Sequence, residues 1–293
     1  MREVVYVGKS IMIVQERKGE LVTVIQSSGY TCDEQAIKEP WLLTQFRTMP
    51  HLNRKKLPDP IILESQLPCY RDLDCTVYTV YFLPECEGIE SAACELEHEV
   101  ENLEIKTPQK ILIGHSKGGL LMTAVAKYLK YEMPIILIAP TFGTVWGDEK
   151  LVLEKLKGHY LREEGFLKKL ELIPEIFLIK IALKFLLSRR AVDYDMVQDS
   201  EFLKKLNFSK LKNHYVLLIS AECPEGYCSM KDSLVRHVGK MLSLYKEADG
   251  VVTLKNQEEP WDEVKKIVYL TATHASIFLQ SNATVKNFIE NLL

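Results

Sequence analysis

The chain lacks a strong charge of either sign. It has 37 Lys and Arg against 40 Asp and Glu, a formal net charge of −3 over 293 residues. Nucleic-acid-binding domains usually carry a clear basic excess, so this balance argues against a nucleic-acid partner and favours a small molecule. The hydrophobic share of 47% and the charged share of 26% are those of an ordinary globular protein. They exclude a collagen-like, low-complexity or wholly disordered chain.

Long apolar runs are also missing. Lys9 and Glu16 interrupt the first apolar residues before they reach the length of a secretory signal core. We therefore expect a cytoplasmic protein. The most hydrophobic segment, residues 172–187, contains three charged residues and is shorter than the roughly 20 residues that a spanning helix needs. We do not expect it to cross a bilayer.

The cysteines do not form a regular framework. There are seven of them, an odd number at irregular spacings. Disulfide scaffolds use paired cysteines in oxidising compartments, so free, buried thiols are the expected state. Two weaker alternatives remain: a bridge between Cys223 and Cys228, and half of a metal site formed by Cys94 and His98.

Two patterns divide the chain. Short β-branched runs predict strands at residues 4–7, 11–14 and 21–25, and the charged turn at residues 17–20 predicts an antiparallel hairpin of the last two. From residue 76, apolar strands alternate with amphipathic helices, as in a mostly parallel sheet with helices on both faces. The predicted strands are 76–83, 110–114, 134–139, 214–220 and 266–270; the helices are 89–103, 118–131, 230–246 and 283–292. Residues 31–73 receive no assignment.

A Lys- and Leu-rich helical insertion interrupts this alternation. Residues 147–211 are predicted to form an insertion in a core made of residues 1–146 and 212–293. Residues 150–190 carry ten Lys and Arg against five Glu, a local charge of +5 beside −8 for the rest of the chain. The apolar segment 172–187 could cover a hydrophobic pocket or pack on the body for stability. Transient docking on an anionic lipid surface through the positive charge is a third interpretation.

The most informative motif is Gly114-His-Ser-Lys-Gly118. An apolar strand leads into it and a helical segment leads out of it. A serine that projects from so tight a strand–turn–helix connection needs small residues two positions before and after it, and glycine tolerates the required backbone angles. Ser116 is therefore the predicted nucleophile.

A serine hydroxyl needs a base to take its proton and an acid to orient that base. His274 follows the last predicted strand, which brings it to the same sheet edge as Ser116, and it is the predicted base. The chain order serine, acid, histidine restricts the acid to the residues between them. Asp249, in a loop and followed by glycine, is preferred. Glu222 and Asp232 are rivals, because both follow the strand before that loop.

Together, Gly114-His-Ser-Lys-Gly-Gly119, Asp249-Gly-Val-Val and His274 resemble the α/β-hydrolase superfamily, within it the lipase and esterase branch. Residues 199–207 are similar to the Ser-x-Phe-Leu-x-x-Leu-Asn stretch that those enzymes often carry between lid and acid. The resemblance covers residues 20–30 and 76–293. It implies an α/β-hydrolase fold with an eight-stranded, mostly parallel sheet and an inserted helical lid.

The resemblance also implies an oxyanion hole. Lipases usually have His-Gly after the strand that precedes the oxyanion loop, whereas this chain has Ser28-Gly29-Tyr30. Matching Gly29 to the family glycine assigns the backbone N–H groups of Lys117 and Tyr30 as oxyanion donors. The implied reaction is two-step hydrolysis of an ester or lipid, and it requires neither a metal nor an organic cofactor. The apolar segment 172–187 favours a substrate with an apolar acyl group. The alternatives are an acyltransferase or thioesterase with the same triad, or a non-catalytic binding protein on a hydrolase fold.

Overall fold

The computed structural model describes residues 3–29, 67–103, 107, 109–144, 154, 191–222, 249, 251–274 and 276–293. The strands within these residues are β1 (Glu3–Val7), β2 (Ile11–Arg17), β3 (Val22–Ser27), β4 (Cys75–Phe82), β5 (Gln109–His115), β6 (Pro134–Ile138), β7 (Tyr215–Glu222) and β8 (Lys266–Thr271). The α-helices are α1 (Cys69–Asp72), α2 (Ile89–Asn102), α3 (Lys117–Ala126), α4 (Ala191–Tyr194), α5 (Glu201–Lys205), α6 (Leu254–Gln257), α7 (Ile277–Gln280) and α8 (Asn282–Glu290). Short 3₁₀ helices cover Phe208–Asn213 and Trp261–Glu263.

The described strands form one eight-stranded sheet in the order β1-β2-β4-β3-β5-β6-β7-β8. The β1–β2 and β2–β4 pairs are antiparallel. Every pair from β4 through β3 to β8 is parallel. The carboxyl ends of β5, β7 and β8 therefore lie at one edge of the sheet, where loops from distant parts of the chain can meet.

The predicted hairpin of β2 and β3 is wrong, because β4 lies between these two strands. The turn at residues 17–20 is bonded to the start of β4: Gly19 N–H donates to Thr76 Oγ1 at 2.9 Å, and Thr76 Oγ1 donates back to the Gly19 carbonyl at 2.6 Å. The hairpin in this region is formed by β1 and β2, and Gly8 N–H closes its turn on the Ile11 carbonyl at 3.0 Å.

Helices cover both faces of the sheet, and each face has its own apolar core. On one face, α2 and α3 bury residues such as Leu96 and Leu120 against alternate residues of the strands. On the other face, α1, α7 and α8 bury residues such as Tyr70, Ile277 and Phe288. Parallel strands covered on both sides are continuously apolar, which explains why β5 to β7 are nearly all buried.

The predicted alternation of strands and helices from residue 76 onward is confirmed wherever those elements are described, with ends shifted by a few residues. The predicted helix at 230–246 and the apolar segment 172–187 lie outside the described residues. Of the predicted lid, the described part comprises α4, α5 and the first 3₁₀ helix. Cys69, Cys75 and Cys86 are free and buried, whereas Cys94 is free and exposed.

Candidate active site

Ser116 lies between β5 and α3 in a backbone conformation that non-glycine residues rarely adopt, with φ 54° and ψ −127°. The turn around it is tight. A Cβ atom on Gly114 would lie 2.5 Å from the Gly118 carbonyl oxygen, and one on Gly118 would lie 1.9 Å from the Ser27 carbonyl oxygen. Strained conformations of this kind cost about 1–3 kcal/mol and persist only where the surroundings impose them. Here the close approaches at Gly114 and Gly118 hold the turn in place. Ser116 itself is half-buried, at the carboxyl edge of the sheet.

His274 follows β8 and reaches Ser116 across the carboxyl edge. Its Nε2 lies 2.7 Å from Ser116 Oγ. Its main chain is tied to the acid loop, because His274 N–H donates to the Asp249 carbonyl oxygen at 2.9 Å. The base and the serine therefore stand within hydrogen-bonding distance although 158 positions separate them in sequence.

The Asp249 side chain is fully buried, and its Oδ2 lies 2.5 Å from His274 Nδ1. Its other oxygen, Oδ1, accepts hydrogen bonds from the N–H groups of Val251 and Val252, both at 2.9 Å. A carboxylate with these donors accepts the Nδ1–H of a neutral imidazole, which leaves the Nε2 lone pair facing the Ser116 hydroxyl. This is the tautomer that a general base requires.

Of the two rival acids, the structure describes Glu222, and Glu222 does not occupy this position. Glu222 lies exposed at the end of β7, where its backbone pairs with Thr271. Asp232 lies outside the described residues. The carboxylate that contacts His274 is that of Asp249.

His115 is a site residue that the sequence pattern does not predict. It is 5% exposed, and its ring lies 5.3 Å from the His274 ring, centroid to centroid. Its Nε2 is 3.0 Å from the His274 carbonyl oxygen, which can only accept, so Nε2 carries the proton and donates. Burial, with the nearby His274 as a second cause, lowers the pKa of His115 to about 3. His115 is therefore a neutral donor that holds the backbone of His274.

Gln257 is a second missed residue. It is completely buried, and its amide brackets the main chain of β7: Oε1 accepts from Ala221 N–H at 2.8 Å, and Nε2 donates to the Ala221 carbonyl at 3.0 Å. The same Nε2 lies 3.3 Å from the Val252 carbonyl oxygen. Gln257 thus fastens the loop of Asp249 to the sheet. Its position inside a short polar helix offers no sequence signal for this role.

Of the two predicted oxyanion donors, Lys117 and Tyr30, the structure describes Lys117. Lys117 is the first residue of α3, where backbone N–H groups have no acceptor within the helix. Gly29 has a positive φ of 74°, and a Cβ atom on it would lie 2.5 Å from Lys117 Cβ. The chain after β3 therefore passes directly against Lys117. Tyr30, the second predicted donor, lies outside the described residues.

Two further properties apply to the described part of the chain. It contains no helix long and apolar enough to cross a membrane. Within the same residues, no group of three or more His, Cys, Asp and Glu side chains is arranged to hold a metal ion.

Comparison with known proteins identifies solved structures with a similar fold. Neither a protein-family model nor a curated protein matches the chain. The mature form of the Bacillus licheniformis lipase BlEst2 aligns over 94% of both chains, with a TM-score of 0.53 and 14% sequence identity. The propeptide form of that lipase aligns over 94% of this chain and 50% of its own, with a TM-score of 0.51 and 14% identity.

An α/β hydrolase fold protein from Chitinophaga pinensis aligns over 98% of this chain and 96% of its own, with 9% identity and a TM-score of 0.47. With the sheet order and the helices on both faces, the likeness to the lipase shows that this chain has the α/β-hydrolase fold. At such low identity the likeness concerns the fold alone, and function must be argued from the site.

Proposed function

We propose that the protein is a serine hydrolase that cleaves carboxylic esters through an acyl-enzyme intermediate. The observation that carries the proposal is the hydrogen-bonded series from Ser116 Oγ through His274 to Asp249, with distances of 2.7 and 2.5 Å. A nucleophile, a base within reach of it, and an acid that fixes the base's tautomer form the minimum set for this chemistry.

In the proposed reaction, Ser116 Oγ attacks the ester carbonyl carbon while His274 Nε2 takes the hydroxyl proton. The carbonyl oxygen becomes an oxyanion that accepts hydrogen bonds from the N–H of Lys117 and, as the second proposed donor, Tyr30. One such donor typically stabilises the transition state by about 2.7–4 kcal/mol. The C–O bond to the alcohol then breaks, and the alcohol leaves with the proton from His274. Water repeats the sequence and releases the acid and free Ser116.

Asp249 remains ionised throughout this proposed cycle. Its buried carboxylate stabilises the imidazolium that forms when His274 holds the proton. The two backbone donors to Oδ1 keep the carboxylate directed at Nδ1. These residues act without a metal or organic cofactor in the proposed mechanism.

The proposed substrate is an ester or lipid with an apolar acyl group. The apolar sequence of residues 172–187 supports this substrate class. The local charge of +5 in residues 150–190 supports a second proposal, transient contact with an anionic membrane surface. The proposed setting is the cytoplasm, a reducing compartment that suits the free thiols of Cys69, Cys75 and Cys86.

The test is hydrolysis of p-nitrophenyl esters from acetate to laurate by the parent protein and by Ser116→Ala. Ser209→Ala is the matched control, because Ser209 is exposed on the 3₁₀ helix before β7. We expect the parent and the control to release nitrophenol, and Ser116→Ala to release none above background. A preference for acetate over the longer chains would contradict the apolar acyl pocket. Transfer of the acyl group to an added alcohol without release of free acid would favour an acyltransferase.

A further inference from the structure

The side chain of Lys117 has no part in the proposed acyl transfer, yet it is buried. Only 6% of it is exposed, and its Nζ lies 2.5 Å from Asp193 Oδ1, whose side chain is 8% exposed. The ammonium also lies 5.3 Å from the ring centroid of Phe82, at the end of β4. Taking two charges out of water is costly, and apolar residues in the same space are often at least as stabilising. A buried ion pair on the residue after Ser116 therefore suggests a role other than stability.

Asp193 belongs to a segment, residues 191–199, that lies over the carboxyl edge of the sheet. The same segment contributes Asp195, whose Oδ2 accepts from the N–H of Ile89 at 2.7 Å, at the start of α2. Val197 forms a β-bridge with Thr144. Thr144 Oγ1 in turn donates to the Val251 carbonyl at 2.9 Å, in the loop of Asp249. The segment is thus bonded directly to the start of α2 and to Thr144, and through Thr144 to the loop of Asp249.

Little room exists for Lys117 to shift. The chain at Gly29 approaches so closely that a Cβ atom there would lie 2.5 Å from Lys117 Cβ and 2.9 Å from the Gly118 nitrogen. The first turn of α3 is consequently held between Gly29 on one side and the Asp193 contact of its side chain on the other. A charge-assisted hydrogen bond is shorter and roughly twice as strong as a neutral one, so it holds the Lys117 side chain against Asp193 more firmly than an apolar contact would.

We propose that the Lys117–Asp193 ion pair is a positioning device: it fixes the first turn of α3, and with it the Lys117 N–H, relative to Ser116 and Gly29. The inference rests on the proposed hydrolase function. Asp193 acts through Lys117 and does not touch the substrate. The pair also makes the geometry of the oxyanion donor depend on the docking of residues 191–199.

The test compares four variants with the parent: Lys117→Met, Asp193→Asn, the double variant Lys117→Met with Asp193→Leu, and the control Lys130→Met. The control removes a surface ion pair with Glu101, at 3.3 Å, in which Lys130 is 74% exposed. For each protein, the inactivation rate constant and the apparent affinity for a fluorophosphonate are measured together with the melting temperature.

We expect both single variants to react about 10- to 100-fold more slowly, with the affinity for the probe changed less than twofold, because the perturbation misplaces a transition-state donor. The double variant should regain most of the melting temperature that the single variants lose, since neither member of the pair is left buried without the other, but should not regain the rate. Lys130→Met should match the parent in rate.

Recovery of both rate and melting temperature in the double variant would overturn the proposal, because the pair would then be merely structural. So would a parental rate in Asp193→Asn. If neither single variant folds, the double variant is compared with the parent: a folded double variant that reacts slowly supports the proposal, and one that reacts at the parent's rate overturns it. A parent that does not react at all overturns the proposed hydrolase function, and this inference with it. That outcome differs from a reactive parent with a dispensable ion pair.

Discussion

Replacing Gly118 by alanine tests whether the close packing of β3 on α3 sets the position of Ser116. The added Cβ would lie 1.9 Å from the Ser27 carbonyl oxygen, a backbone atom that no side-chain rotation can move away. The end of β3 and the start of α3 must therefore separate by about 1 Å, and a misplacement of that size typically lowers the rate about 100-fold. Such overpacking also costs about 1–3 kcal/mol of stability.

The assay is the second-order rate of fluorophosphonate labelling, measured beside the free energy of unfolding in urea. Gly8→Ala is the matched control: its Cβ would approach the side chains of Glu95 and Tyr6, which can move, in the β1–β2 turn. We expect labelling to fall about 100-fold in Gly118→Ala and to change little in Gly8→Ala. Labelling of Gly118→Ala within threefold of the parent would refute the reasoning that this contact positions the nucleophile.

Three further predictions concern the polar residues Asp249, His115 and Gln257. Asp249→Asn should lower kcat by about 10⁴-fold with intact folding, because an amide favours the wrong tautomer of His274; a loss below tenfold in ester hydrolysis would contradict this. His115 has a folded pKa of about 3 against an ordinary value of 6.5, so stability should be lost as the pH falls from 6.5 toward 3. His115→Gln should make unfolding less pH-dependent by up to about 1.4 kcal/mol per pH unit in that window, and an unchanged slope in urea titrations would be evidence against the assignment. Gln257→Leu should destabilise the fold by at least about 1–3 kcal/mol, because it leaves the Ala221 main chain without its buried partner, and should slow labelling as well; calorimetry together with the labelling assay checks both effects.

Sequence patterns predicted the local elements well, because the period of apolar residues depends on which face each element buries. The helix Ile89–Asn102 buries Ile89, Ala92, Leu96 and Val100, the positions that helical spacing selects. The strands β5 and β6 are short apolar runs, as buried parallel strands must be. The α/β-hydrolase fold could be predicted on this basis together with the motif around Ser116.

Strand order was harder, because pairing depends on distant segments. The turn at residues 17–20 has the local chemistry of a hairpin, but its main-chain groups bond to Thr76 in β4. No local feature of residues 11–25 indicates that β4, a strand much later in the chain, would lie between β2 and β3. Local sequence alone therefore predicts a hairpin of β2 and β3, whereas the antiparallel partners of β2 are β1 and β4.

Within the candidate site, the glycine-flanked motif predicts Ser116, the end of the last strand predicts His274, and chain order with the following glycine favours Asp249. The three side chains lie together. Their catalytic roles stay a prediction. The contacts of His115, Gln257 and Asp193 could not be inferred, because each joins a polar side chain to atoms far away in sequence. A buried polar residue reveals its function only when its partner is known.

The central claim is that Ser116 is a nucleophile activated by His274. The most direct measurement is mass spectrometry of the protein after reaction with a fluorophosphonate, with the adduct located by peptide fragmentation. We predict one adduct per chain, on Ser116, absent from Ser116→Ala and strongly reduced in His274→Ala. No adduct on the folded parent, or an adduct on another serine that persists in Ser116→Ala, would contradict the account.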